Sequence, residues 1–205
     1  MTRIASQDSQ HEPAVYRSLG LNALLASLAS DRKYFILDLG PALGVNVDFW
    51  SRLNCRLHIE DFYHSYVDKK ASGTEESTEA ILAELLPFSE DTRFDIILAW
   101  DLFNYLDLEE LEALVQRLAR WCHPGTLLFA LLSSQPTIPA EPTLFKIVDS
   151  ERMMYQTATS EMRPCPRHQP RDIAKLMARF NVSSSFLMRH GIQEYMFSYS
   201  EGKNR

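Results

Sequence analysis

Apolar residues along this chain come in two spacings, unbroken runs and helical stripes, and they alternate. Val15, Leu19, Leu21, Leu24, Leu25 and Leu28 recur at helical spacing, which predicts an amphipathic helix ending near Ser30 or Asp31. The run Tyr34-Phe35-Ile36-Leu37 then reads as a buried strand closed by Asp38. A helix from about Val45 to Leu53 follows, then a short strand, Cys55 to Ile59, ending at Glu60-Asp61. Asp68 to Ser77 is polar and reads as loop. Thr78 to Leu86 carries helix formers at helical spacing. Arg93 to Trp100 is a second buried run. Asp107 with Glu110 three residues on marks the start of a helix whose stripe is Leu111, Leu114, Val115, Leu118 and Trp121. His123-Pro124-Gly125 stops it, and Thr126 to Leu132 is the next strand. After an irregular insert at about 133–169, Pro170 opens a helix to about Arg179. Val182–Arg189 and Ile192–Tyr199 flank His190-Gly191 as an antiparallel hairpin.

Strands alternating with helices predict an α/β fold, a mostly parallel sheet covered on both faces. At 205 residues the chain has the length of one domain, which would bury ~70% of its unfolded surface. Its 45% apolar and 23% charged content is that of a globular protein. Met1 to Pro13 is polar with no apolar core of the signal-peptide kind. No apolar run approaches the ~20 residues that cross a bilayer, so no membrane partner is expected. Three scattered cysteines, Cys55, Cys122 and Cys165, fit a reducing compartment, and the expected location is the cytoplasm.

The net charge of −6 argues against non-specific nucleic-acid binding. It is unevenly spread. Residues 1–150 hold 12 Lys/Arg against 22 Asp/Glu, and 151–205 hold 9 against 5. Arg163, Arg167, His168 and Arg171 concentrate the positive charge just before the penultimate helix.

The chemistry starts at Asp38-Leu39-Gly40-Pro41-Ala42-Leu43-Gly44. A strand running into a tight glycine turn lets a ligand approach bare backbone at the strand's carboxyl end. This segment resembles motif I of the class I S-adenosylmethionine (SAM)-dependent methyltransferases, Asp/Glu-x-Gly-x-Gly-x-Gly, with Ala42 in place of the middle glycine. Leu86-Pro87-Phe88 before Phe94-Asp95, the loop residues Asp101, Asn104 and Tyr105, and Pro124-Gly125-Thr126 are similar to later family segments in the same order. The resemblance covers roughly Tyr34 to Tyr199.

That resemblance implies a three-layer Rossmann-like sandwich whose last strand is antiparallel, with SAM as cofactor. It implies a domain over 34–205, a helical cap over 1–33, and an insert that folds over the acceptor. It places SAM against Asp38, Gly40, Ala42 and Gly44. Asp61, 23 residues after Asp38, would hold the ribose hydroxyls, with Glu60 as substitute. Asp101 and Asn104 would face the cofactor. The family's third strand, whose acid takes the adenine amino group, has no counterpart beyond Glu84 in the helical 78–86 stretch. Asp101, His168 and Tyr155 are the candidate bases for a small-molecule acceptor, which the basic cluster would attract if anionic. No metal site is expected, since Cys165-Pro-Arg-His168 lacks a partner pair at ligand spacing. Ala42 and the missing third strand favour a second reading, a non-catalytic methyltransferase-like binding or scaffold module.

Overall fold

The computed structural model describes residues 14–73, 76–166, 168, 170–188 and 191–201. The polar leader 1–13, Arg167 and His190 lie outside the described residues. Four strands run parallel: β2 (Tyr34–Asp38), β3 (Cys55–Ile59), β4 (Phe94–Trp100) and β5 (Cys122–Ser133). Two more, β10 (Phe180–Leu187) and β11 (Ile192–Tyr199), complete a six-stranded sheet in the order β10-β11-β5-β4-β2-β3. β11 runs antiparallel to both of its neighbours. All seven residues of β4 are buried, the expected fate of a continuous apolar run at the middle of a parallel sheet.

Alternate strand residues supply opposite faces. Leu37, Ile97 and Leu128 pack with residues of α3 (Phe62–Ala71), α4 (Thr78–Leu85) and α5 (Leu108–Ala119). Ile36, Ile96, Leu98 and Phe129 pack with Leu21 and Leu24 of α1 (Leu19–Ala26) and Trp50 of α2 (Gly44–Ser51). The start of α5 is the capping box its sequence predicts, with Asp107 and Glu110 satisfying each other's backbone amides. Thr126 explains the altered Pro-Gly turn. Its hydroxyl accepts from the His123 amide at 2.9 Å and donates to the Phe94 carbonyl at 2.7 Å.

Four local expectations are corrected. Val15 lies on a strand, β1 (Ala14–Arg17), and the helix begins only after Ser18, whose hydroxyl accepts from the Leu21 amide. β1 pairs with β8 (Arg152–Gln156), a distant partner that local periodicity cannot announce. The expected loop from Asp68 is helix as far as Ala71. Phe62 and Tyr66, four residues apart, bury one face of α3 and leave its polar face to read as loop. β5 starts at Cys122, ahead of the Gly125 turn. The insert is not irregular: β6 (Thr137–Pro139) pairs with β9 (Met162–Pro164), and β7 (Leu144–Ile147) with β8. Asp149 shapes the β7–β8 turn by accepting from the Glu151 and Arg152 amides.

Between β3 and β4 the described residues hold two helices and no strand. β3 is therefore the sheet's edge. The helix α6 (Pro170–Leu176) precedes β10. No helix among the described residues is long and apolar enough to cross a membrane.

Candidate functional site

The carboxyl ends of β2, β3 and β4 meet in one cleft. β2 ends in Asp38, which is buried, with Oδ1 accepting from the Gly40 amide at 2.9 Å and the Trp100 indole N–H at 2.6 Å. Burial outweighs those two donors and pushes its carboxyl up to about 6. Trp100, at the end of β4, has φ 48°, a conformation uncommon for a bulky residue. Its indole stacks on Phe145 of β7 at 5.8 Å and 6°. A Cβ added to Gly40 would lie 2.9 Å from Trp100 Cδ1, so the indole is what requires glycine there.

Gly44 is different. It is exposed, begins α2, and a Cβ on it would meet nothing within 4 Å. Ala42 is exposed as well, and neither residue lines the cleft. Leu39, Gly40, Pro41 and Leu43 do.

On the β3 side Asp61 precedes α3 without capping it, and its carboxylate meets His64 Nδ1 at 2.8 Å. Asp61, Tyr63 and His64 all line the cleft, whereas Phe62 and Tyr66 go to the core. Glu60 is half-buried, its carboxyl raised by burial, and lies outside the cleft lining. On the β4 side Asp101 is buried beneath the insert. Its Oδ2 accepts from the Thr143 amide at 3.0 Å, and burial pushes the carboxyl up to about 7.

Asn104 does not reach the cleft. Its side-chain amide donates to the carbonyls of Asp101 and Leu131 and accepts from the Ser133 amide, bracing β5. His168 Nε2 sits 3.2 Å from the Phe103 carbonyl, and Tyr155 packs against Tyr16 at 5.6 Å; neither lines the cleft. The described members of the basic cluster do not converge. Arg163 lies over the Tyr105 ring and within 3.4 Å of the Tyr63 hydroxyl, whereas Arg171 is exposed beside Asp172. Glu84 pairs with Lys69 on the helical surface and is not a cleft residue.

Sequence spacing misses the residues that shape this site most. Asn46 of α2 donates to the Phe145 carbonyl at 2.9 Å and accepts from the Ile147 amide at 2.8 Å, clasping β7 onto the turn. Pro142, Thr143, Leu144 and Phe145 then form one wall. With Trp100 they reduce the cleft to about 30 Å³, room for about one water. A further buried acid, Glu194 of β11, accepts from the Ser18 hydroxyl and the Gly20 amide, both at 2.6 Å, and burial raises its carboxyl.

No protein-family model matches the chain, and no curated protein matches it in sequence. Solved structures do match its backbone. A SAM-dependent methyltransferase from Methanosarcina mazei aligns at TM-score 0.51 and 12% identity, over 87% of this chain and 96% of that one. A TehB-like SAM-dependent methyltransferase from Corynebacterium glutamicum aligns at 0.51 and 12%, over 88% of each chain. One from Clostridium acetobutylicum aligns at 0.50 and 11%, over 87% and 88%. The fold is that of the class I SAM-dependent methyltransferases. Within a methyltransferase fold, a cleft at the carboxyl ends of the parallel strands is where ligands of open α/β sheets bind. Gly40, Asp61 and Asp101 are the sequence-predicted residues that line it here, with Asp38 hydrogen-bonded beneath.

Proposed function

We propose that this chain is a SAM-dependent methyltransferase acting on a small-molecule acceptor, and that its cofactor cleft is closed by the insert in the conformation described here. The observation that carries this reading is the meeting of Gly40, Asp61 and Asp101 in one cleft of a methyltransferase-fold sheet. The residues fit the cofactor in chemistry: the Asp61 carboxylate, 42% exposed, would accept from a ribose diol, and Gly40 lines the same cleft. The space does not fit it as described. Ligand clefts run to about 300–1,000 Å³, and Phe145 and Trp100 leave about 30 Å³. Binding therefore requires residues 142–145 to withdraw.

When bound, SAM supplies a methyl group on a sulfonium, for which the protein need only align the acceptor and remove its proton. Asp101 is the candidate base that lines the cleft. Its carboxyl near 7 is matched to taking a proton at neutral pH. The segment before β2 and the insert, joined through β1 and β8, form the cap over the acceptor side. Arg163, held against the cleft residue Tyr63, is the described cation placed to meet an anionic acceptor.

The filled cleft is also the specific observation that favours the second reading, a non-catalytic methyltransferase-like module. Calorimetry with S-adenosylhomocysteine separates the two. The methyltransferase reading expects one site, and expects Asp61→Ala to weaken it by about one to two decades, the ~1.5–3 kcal/mol of a charged hydrogen bond. Unchanged affinity in Asp61→Ala with a loss in Glu60→Ala moves the ribose contact by one residue.

A further inference from the structure

A second cleft, of about 480 Å³, opens at the other end of the same strands. It is bounded by the amino ends of β2, β3 and β4 and the start of β5. β2 rises about 13 Å from Tyr34 to Asp38, so the two clefts occupy opposite rims of the sheet. Nothing in the methyl-transfer reading uses this one.

Its floor is aromatic. Phe35 leaves 36% of its surface exposed although it sits on a central strand. His58 packs edge-on against Phe88 and Phe94 at 5.6 and 5.7 Å. Because β3 is the sheet edge, Arg56 stands in register beside Phe35 on one face with no further strand to cover it.

Its rim is positive. Arg32, Lys33, Arg56 and Arg93 line it against two carboxylates, Asp91 and Asp95, in a chain whose net charge is −6. Asp95 is already occupied: it accepts from Arg32, the Phe35 amide and His123. Arg93 is spent on the carbonyls of Glu90 and Thr92, which hold its side chain without neutralising it. Lys33 and Arg56 are exposed, and among the described residues neither side chain is hydrogen-bonded or ion-paired. Burial, and then Arg56, hold the His58 imidazole below its ordinary value. Two unspent cations beside an exposed ring in a concave site of ligand size are the ingredients of a small-molecule anion site.

We propose that this cleft binds a small organic phosphate carrying a planar ring, with the ring on Phe35 and the phosphate between Lys33 and Arg56. The overall negative charge opposes a long polyanion, whereas a single phosphate meets only the local surplus.

Backbone-amide NMR titration of the full chain with phenyl phosphate, inorganic phosphate and phenol tests this. Phenyl phosphate should shift Phe35, Arg56, His58 and Thr92 saturably, inorganic phosphate should bind at least tenfold more weakly, and phenol should not saturate. A Lys33→Gln, Arg56→Gln double variant, both sites exposed, should weaken phenyl phosphate at least tenfold with an unchanged melting temperature. Phe35→Ala should reduce the phenyl phosphate affinity to that of inorganic phosphate. The proposal is overturned by shifts that do not saturate, by shifts centred on Gly40, Asp61 and Trp100, by equal affinity in the double variant, or by a response to heparin alone.

Discussion

Gly40 and Gly44 stand in one turn and answer to different neighbours. A methyl group at Gly40 would press a buried indole off the Asp38 carboxylate. Gly40→Ala should therefore cost about 1–3 kcal/mol by overpacking, read as a drop in melting temperature with a shift in tryptophan emission. Gly44 has open space around it at the start of a helix. Gly44→Ala should be neutral or gain up to about 1 kcal/mol, and should leave S-adenosylhomocysteine affinity unchanged, since Gly44 does not line the cleft. Weakened affinity would bring the ligand to that end of the turn. The motif made the acid, the turn and Asp61 legible, because strand-end chemistry is local. It could not show that Asn104 is consumed by β5, nor that Trp100 occupies Asp38, since those contacts join separate strands.

At the scale of elements, the central strands and α5 could be read directly, since burial on both faces and a capping box leave their mark within one segment. The insert could not. Its strands are three to five residues long, and β8 finds one of its partners in β1, near the opposite end of the chain. Thus the wall that closes the candidate site is the part least visible in sequence. Its attachment is testable through Asn46, whose two hydrogen bonds hold β7 to α2. Asn46→Ala should loosen that attachment by about 1–3 kcal/mol. Hydrogen exchange should then quicken in β7 and β8 ahead of β4 and β5. Uniform loss of protection across the sheet would mean that the insert is part of the global folding unit and not a separable wall.

Across the whole molecule, the buried acids tie stability to pH. The folded-state carboxyls of Asp38 and Asp101 are raised to about 6 and about 7, against 3.8 as the reference for the unfolded chain. Between pH 4 and 7 the folded protein thus holds protons that the unfolded chain has released, and stability falls as pH rises through that window. Taken together the two shifts put the loss on the order of several kcal/mol, at ~1.4 kcal/mol per unit. Melting temperature should be higher at pH 5 than at pH 8, and Asp101→Asn should narrow the gap; an unchanged gap would mean that Asp101 ionises normally. Asp101 lines, and Asp38 lies beneath, a cleft that Phe145 and Trp100 nearly fill, and this sets the decisive comparison. S-adenosylhomocysteine should be titrated into wild type and into Phe145→Ala, with melting curves confirming that both are folded. If the cleft is a SAM site closed by the insert, the wild type pays for opening and the variant does not. The account predicts binding to both, at least tenfold tighter in Phe145→Ala. Absence of binding to either folded protein would contradict it and leave the methyltransferase fold serving another purpose.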